Sequence, residues 1–162
     1  MKVFYNPKVS ALKLELAESC GFIALAKTTL KPHEKYVRGE KCFDWQNAVK
    51  FKISDEEADL ILENLRSKKF KMTLEHYPTD GKSYCNIEYD PKTRLMIVAV
   101  TVVKGDDKRS VSYRTTTIAQ TKQIIKWLQL VSYSTFMFDL MYIFERRLVD
   151  AIMTEIKAMK RR

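Results

Sequence analysis

FDWQNAVKFKISDEEADLIL (residues 43–62) runs from a strand pattern into a helix start, and the architecture can be read outward from it. Val49, Phe51 and Ile53 alternate with Lys50 and Lys52, so a strand here has one apolar and one cationic face. Ser54 ends that strand. Ser54 and Glu57 have the spacing of a capping box, in which each side chain satisfies the other's free backbone N–H. Asp55, Glu56 and Glu57 fall in the first helical turn, where the helix dipole favours negative charge. Ala58, Ile61, Leu62 and Leu65 follow at i, i+3, i+4 and i+7, the buried stripe of a helix over about 55–67. Helix initiation therefore accounts for the densest acidic cluster in the chain better than a pair of catalytic carboxylates does.

Toward the N-terminus, SALKLELA (10–17) alternates with Leu12, Leu14 and Leu16 on one face, and GFIALAKTTL (21–30) is the next strand. A polar connection over 32–40 leads to the opening stretch. Toward the C-terminus the same plan returns. FKMTLEHY (70–77) turns Phe70, Met72 and Leu74 inward, and SYCNIEYD (83–90) leads to a turn at Asp90–Thr93. RLMIVAVTVV (94–103) is apolar on both faces, the pattern of a central strand covered on both sides. Lys104–Asp107 turns into RSVSYRT (109–115), and Thr117 with Gln120 has the spacing of a second capping box. Strands grouped before each helix, with no strand–helix–strand alternation, predict an α+β fold with antiparallel sheets and a pseudo-repeat of about sixty residues.

Twenty-nine Lys and Arg against twenty Asp and Glu give a net charge of +9, which suits an anionic polymer or surface as partner. Cys20, Cys42 and Cys85 are an odd, widely spaced set, read as reduced structural thiols rather than a disulfide framework or zinc site. No apolar run is long enough to span a bilayer, and MKVFYNPKV lacks the apolar core of a signal peptide. The expectation is a protein of the cytoplasm or an organelle matrix, or of the host cytoplasm for a viral chain, with no membrane partner. Phosphate-loop, dinucleotide and zinc motifs are missing, and Glu155–Lys157 is too short a nuclease-like match to carry weight. Neither enzyme activity nor a cofactor nor a metal is expected. The last stretch, 136–162, places Leu140, Phe144, Leu148, Ile152 and Ile156 near one helical face and ends in a basic tail. Packing within the domain or against a second copy is the leading reading, ahead of docking on a membrane surface.

The ordered series Phe43–Asp44–Trp45, Phe51, Ser54 and Glu57 resembles the Whirly family of single-stranded DNA-binding proteins. The likeness continues through LEHYP (74–78), NIEYDPKTRLMIVAVTVV (86–103), KRSVSYRTT (108–116) and IAQTKQIIKWLQLVSYSTFMF (118–138). YNPKVSAL (5–12) stands where the family has a Lys-Gly-Lys-Ala-Ala-Leu element; Lys8 and Ala11–Leu12 match it, Pro7 and Val9 depart from it. The resemblance implies two four-stranded antiparallel sheets with helices after each, and a tetramer. It also implies a binding domain, taken over 1–138; residues 139–162 read, from their own pattern, as a basic amphipathic helix of the same domain or assembly where the family has a short tail.

A single strand exposes phosphates and base faces together, so a binder needs cations and stacking surfaces side by side. The chain interleaves Tyr5 with Lys8, Tyr36 with Arg38, Tyr89 with Lys92 and Arg94, and Tyr113 with Arg114, while alternation turns Lys13, Lys50 and Lys52 away from the apolar faces. These twelve residues are the candidate contacts. Trp45 and Trp127 read as core. The function expected is non-enzymatic binding of single-stranded DNA with little sequence preference, by a homo-oligomer, tetramer before dimer. The alternatives are an RNA-binding protein of the same fold and a homo-oligomeric assembly protein with no nucleic-acid role.

Overall fold

The computed structural model describes residues 1–6, 9–31, 33–35, 42–65, 70–137 and 146–147. The first half is a meander of β1 (Lys2–Asn6), β2 (Ser10–Leu16), β3 (Cys20–Lys27) and β4 (Val49–Ser54), followed by helix α1 (Asp55–Asn64). The second half repeats it with β5 (Phe70–His76), β6 (Lys82–Asp90), β7 (Leu95–Lys104) and β8 (Asp107–Arg114), followed by α2 (Ile118–Ser132). Each sheet is four-stranded and wholly antiparallel. The two-sheet α+β expectation holds. Strand β1 was not legible from its own residues, since only Phe4 in it is buried. The expected terminal helix over 139–162 lies outside the described residues, save for 146–147.

One face of each sheet and one stripe of each helix share a single core. Phe4, Leu12, Leu14, Ile23, Leu25, Phe51 and Ile53 supply it from the first sheet, and Leu74, Ile87, Met96, Val98, Val100 and Tyr113 from the second. Burying each large side chain stabilises the fold by roughly 1.5–3 kcal/mol. Ser10, at the start of β2, ties the first sheet to the edge strand β8 of the second, its hydroxyl donating to the Ser112 carbonyl at 2.6 Å. Helix α2 seats Trp127 on the first sheet, where its indole N–H donates to the Glu15 carbonyl at 3.2 Å. Gly21 makes room for it: a Cβ there would stand 2.3 Å from the indole ring.

The capping box at Ser54 forms as its spacing predicts. Glu57 N–H donates to Ser54 Oγ at 3.2 Å, and Ser54 N–H donates to Glu57 Oε2 at 2.9 Å. The other Glu57 oxygen meets His76 Nε2 at 2.7 Å, and the His76 ring stacks on Phe51 at 4.2 Å, so the cap of α1 is joined to β4 and β5. The second box is only half made. Thr117 Oγ1 accepts from Gln120 N–H at 3.3 Å, but the Gln120 side chain turns back to accept from Thr116 N–H at 2.8 Å.

Strand β7 is central in its sheet, as expected, but among the described residues only one of its faces is covered. Met96, Val98 and Val100 are buried, whereas Ile97, Ala99, Thr101 and Val103 on the opposite face stay half-exposed. An apolar second face signals a covering layer or a contact surface, and within the described residues no element covers it. The three cysteines are buried and free. Burial pushes the Cys85 thiol up to about 12, which leaves it inert at neutral pH.

Candidate nucleic-acid interface

The outer face of the first sheet can be built row by row from its register. Val3, Lys13, Ala24 and Lys50 form one row across all four strands. Glu15, Phe22 and Lys52 form the next, and Tyr5, Ala11 and Ala26 flank the first on its other side. The connection between β3 and β4 folds back to this face through a bridge between Thr28 and Phe43. Phe43 then meets Tyr5 with ring centroids 5.4 Å apart, and Trp45 lies 6.5 Å beyond Phe43. Ala11 and Ala26 separate Tyr5 from that segment in the sheet and are fully buried, so small side chains form the floor beneath the aromatic cluster.

Tyr5 remains 50% exposed, which leaves half its ring available. Phe22 is half-buried on a face that does not point into the core. Lys50 and Lys52 are exposed. Lys13 is engaged by Glu15 beside it and is the less available cation. The face therefore combines flat rings, a low floor and two exposed ammonium groups that form no salt bridge among the described residues.

The outer face of the second sheet has a different chemistry. Its rows run Lys71–Glu88–Ile97–Arg114, then Thr73–Asn86–Ala99–Ser112, then Glu75–Tyr84–Thr101–Ser110, then Lys82–Val103–Lys108, so cations stand at both ends. Hydroxyls and an amide dominate, and several satisfy each other: Thr73 Oγ1 donates to Asn86 Oδ1 at 2.6 Å, and the Thr101 and Ser110 hydroxyls lie 2.9 Å apart. Lys71 is held by Glu88 at 2.6 Å.

At one end of this face a cavity of about 620 Å³ opens beside the β6–β7 turn. It brings together Tyr89, Lys92 and Arg114 with Leu95 and Ile97. The turn over it is rigidly made. Asp90 accepts from Lys92 N–H at 2.9 Å and from the Thr93 hydroxyl at 2.8 Å, and Arg94 N–H donates to the Asp90 carbonyl at 2.7 Å. These bonds, the Lys92 amide first and the Thr93 hydroxyl next, hold the Asp90 carboxyl below its ordinary range. Arg94 has φ 56°, the left-handed region, which costs a non-glycine residue roughly 1–2 kcal/mol.

The candidate residues thus divide. Tyr5, Lys13, Lys50 and Lys52 share the first face. Tyr89, Lys92 and Arg114 line the cavity, with Arg94 in its turn. Tyr89 points to the core side of β6, and only its half-buried edge reaches the cavity. Tyr113 is corrected: it is 0% exposed in the core, because strand alternation turns it inward when Arg114 turns outward. It cannot stack on a base. Its hydroxyl has no hydrogen-bond partner among the described residues, and burial pushes the phenol up to about 12. Lys8, Tyr36 and Arg38 lie outside the described residues. Trp127 is core as expected, whereas Trp45 is half-buried on the first outer face.

Sequence reasoning missed Phe22, Phe43 and Trp45 as members of this face. For Phe22 the signal was present: Ile23 and Leu25 turn inward, so Phe22 must turn outward. The described residues hold no cluster of three or more His, Cys, Asp or Glu able to take a metal ion. None of their helices is long and apolar enough to cross a membrane.

Neither a protein-family model nor a curated protein matches the sequence. Solved structures do. WHY3 from Arabidopsis thaliana aligns with a TM-score of 0.66 over 94% of this chain and 95% of its own, at 14% identity. The chain has the Whirly fold. PBF-2, a plant transcriptional regulator, aligns with a TM-score of 0.63 at 13% identity, covering 86% of this chain and 83% of its own. A guide-RNA-binding protein complex bound to a guide RNA aligns with a TM-score of 0.55 at 15% identity, covering 83% of this chain and 89% of its own. At such identities the fold is what these chains share with the Whirly-like protein described here.

Proposed function

We propose that the protein binds single-stranded nucleic acid without acting on it chemically, and with little sequence preference. The observation that carries this reading is the outer face of the first sheet, where Tyr5, Phe22, Phe43 and Trp45 stand beside exposed Lys50 and Lys52. Stacking on an aromatic ring contributes roughly 1–3 kcal/mol per base and is open only to unpaired bases. The lysines contribute phosphate contacts that carry no sequence information. A net charge of +9 draws any anionic polymer to this surface, and the rings select for single strands.

DNA is the first reading. RNA is the second, favoured by the fold neighbour bound to a guide RNA. The proposal includes self-assembly, tetramer before dimer. It is supported by Leu130, Tyr133, Phe136 and Met137, which are 51–62% exposed at the end of α2. Light scattering over a concentration series reads the assembly state.

Fluorescence anisotropy with single-stranded DNA, single-stranded RNA and duplex of one length tests the binding. The expected result is preference for single strands with a log–log salt slope near −3, about four phosphates at roughly −0.7 each. Equal affinity for duplex overturns the reading.

A further inference from the structure

The cavity beside the β6–β7 turn combines two features in one enclosed space. It has an apolar wall, formed by half-exposed Leu95 and Ile97 and the edge of Tyr89. It also has three cations against two carboxylates: Lys71 is held by Glu88, the Asp90 carboxylate is occupied by the turn's Lys92 amide and Thr93 hydroxyl, and Lys92 and Arg114 form no salt bridge among the described residues. Ile97 and Arg114 are direct cross-strand partners, so wall and charge are adjacent. The volume of about 620 Å³ lies within the roughly 300–1,000 Å³ of small-molecule sites. The turn that carries Lys92 is already fixed by the Asp90 bonds, so little ordering remains to be done on binding.

We infer that this cavity is a subsite for one nucleoside monophosphate, its base against Leu95, Ile97 and Tyr89 and its phosphate on Arg114 and Lys92. A flat ring next to a dianion matches an apolar wall next to cations in excess of the carboxylates, and Arg presents a planar fork suited to phosphate oxygens. The inference deepens the nucleic-acid reading above and rests on it, because the cavity opens on an outer sheet face. The nucleotide can come from the 5′-phosphorylated end of a strand or from free solution.

The test is amide chemical-shift mapping of the full chain with adenosine monophosphate, with adenosine and with inorganic phosphate. In parallel, anisotropy is measured with 5′-phosphorylated and 5′-hydroxyl strands of about 15 nucleotides, a length within the site sizes of such binders. The expected result is saturable shifts at Tyr89, Lys92, Leu95 and Ile97 with the monophosphate, and much weaker ones with either half alone. Arg114→Gln, an exposed position, lowers that affinity by about tenfold, the loss of one hydrogen bond between charged groups. Ile97→Ser lowers it through the wall instead of the charge. A gain in affinity from the 5′-phosphate that Arg114→Gln abolishes assigns the site to strand ends; equal affinities assign it to free nucleotide. Absence of shifts at these four residues, or shifts unchanged by both substitutions, overturns the subsite. The nucleic-acid reading then stands or falls separately, on whether the longer strands bind.

Discussion

The two sheets repeat one topology but expose opposite chemistries. On the first, alternation turns Phe22, Lys50 and Lys52 outward around buried Ala24 and Ala26, with Phe43 and Trp45 folded over from the next segment. On the second it leaves Thr73, Asn86, Thr101, Ser110 and Ser112, whose polar groups are partly spent on each other, in the middle of the face, with Lys71 and Arg114 at one end and Lys82 and Lys108 at the other. The inner faces are interchangeable in kind, both aliphatic with an aromatic or two. The core requirement thus fixes every second residue of each strand and leaves the others free to differ. A ring beside a free lysine gains energy from a base and a phosphate that water does not match. A hydroxyl already paired with a neighbour gains little.

Reversing Lys50 and Lys52 together should give the largest effect. At ~1.5 kcal/mol per charge-assisted contact the double variant K50E/K52E loses about 100-fold in affinity for single strands. Its salt slope flattens by about 1.4, at roughly 0.7 per phosphate, and anisotropy over a salt series reads both. Both lysines are exposed on β4, so the fold is expected to survive. Next comes Phe22→Ala, which removes a stacking surface worth about 1–3 kcal/mol, on the order of tenfold in single-strand affinity. Its effect on duplex affinity should be small, and that split separates stacking from charge. On the second sheet, Thr73→Val should change affinity less than about threefold, near 0.5 kcal/mol, because the hydroxyl already serves Asn86. A larger loss there would place the strand on the hydroxyl face. Tyr113→Phe should leave binding unchanged and raise stability by about 1 kcal/mol in urea denaturation, since it removes a buried hydroxyl with no partner among the described residues.

How much of this was legible depended on whether the signal was local. The β4–α1 junction was readable because its alternation, cap and stripe lie within a few residues, and the structure forms each of them. Strand β1 was not, because KVFYN buries only Phe4 and takes its place through pairing with β2. Reading Tyr113 together with Arg114 failed for a plain geometric reason: adjacent strand residues point to opposite faces, so a ring and a cation share a surface only at even spacing. Phe22 with Ala24 on one strand, and Lys50 with Lys52 on the next, satisfy that rule. Phe43 and Trp45 reach the same face through the Thr28 bridge, a contact across fifteen positions that no local pattern announces. Arg114, read beside Tyr113, instead shares a cavity with Tyr89 and Lys92, because a tight turn and a cross-strand row meet there.

The most direct measurement of the central claim is amide chemical-shift mapping during titration with a single strand of about 15 nucleotides, a length set by known site sizes. The account predicts the largest shifts at Tyr5, Phe22, Ala24, Phe43, Lys50 and Lys52, with smaller ones across Thr73, Asn86 and Ser112. Shifts confined to α1 and α2, or a larger response on the second sheet than on the first, would contradict it.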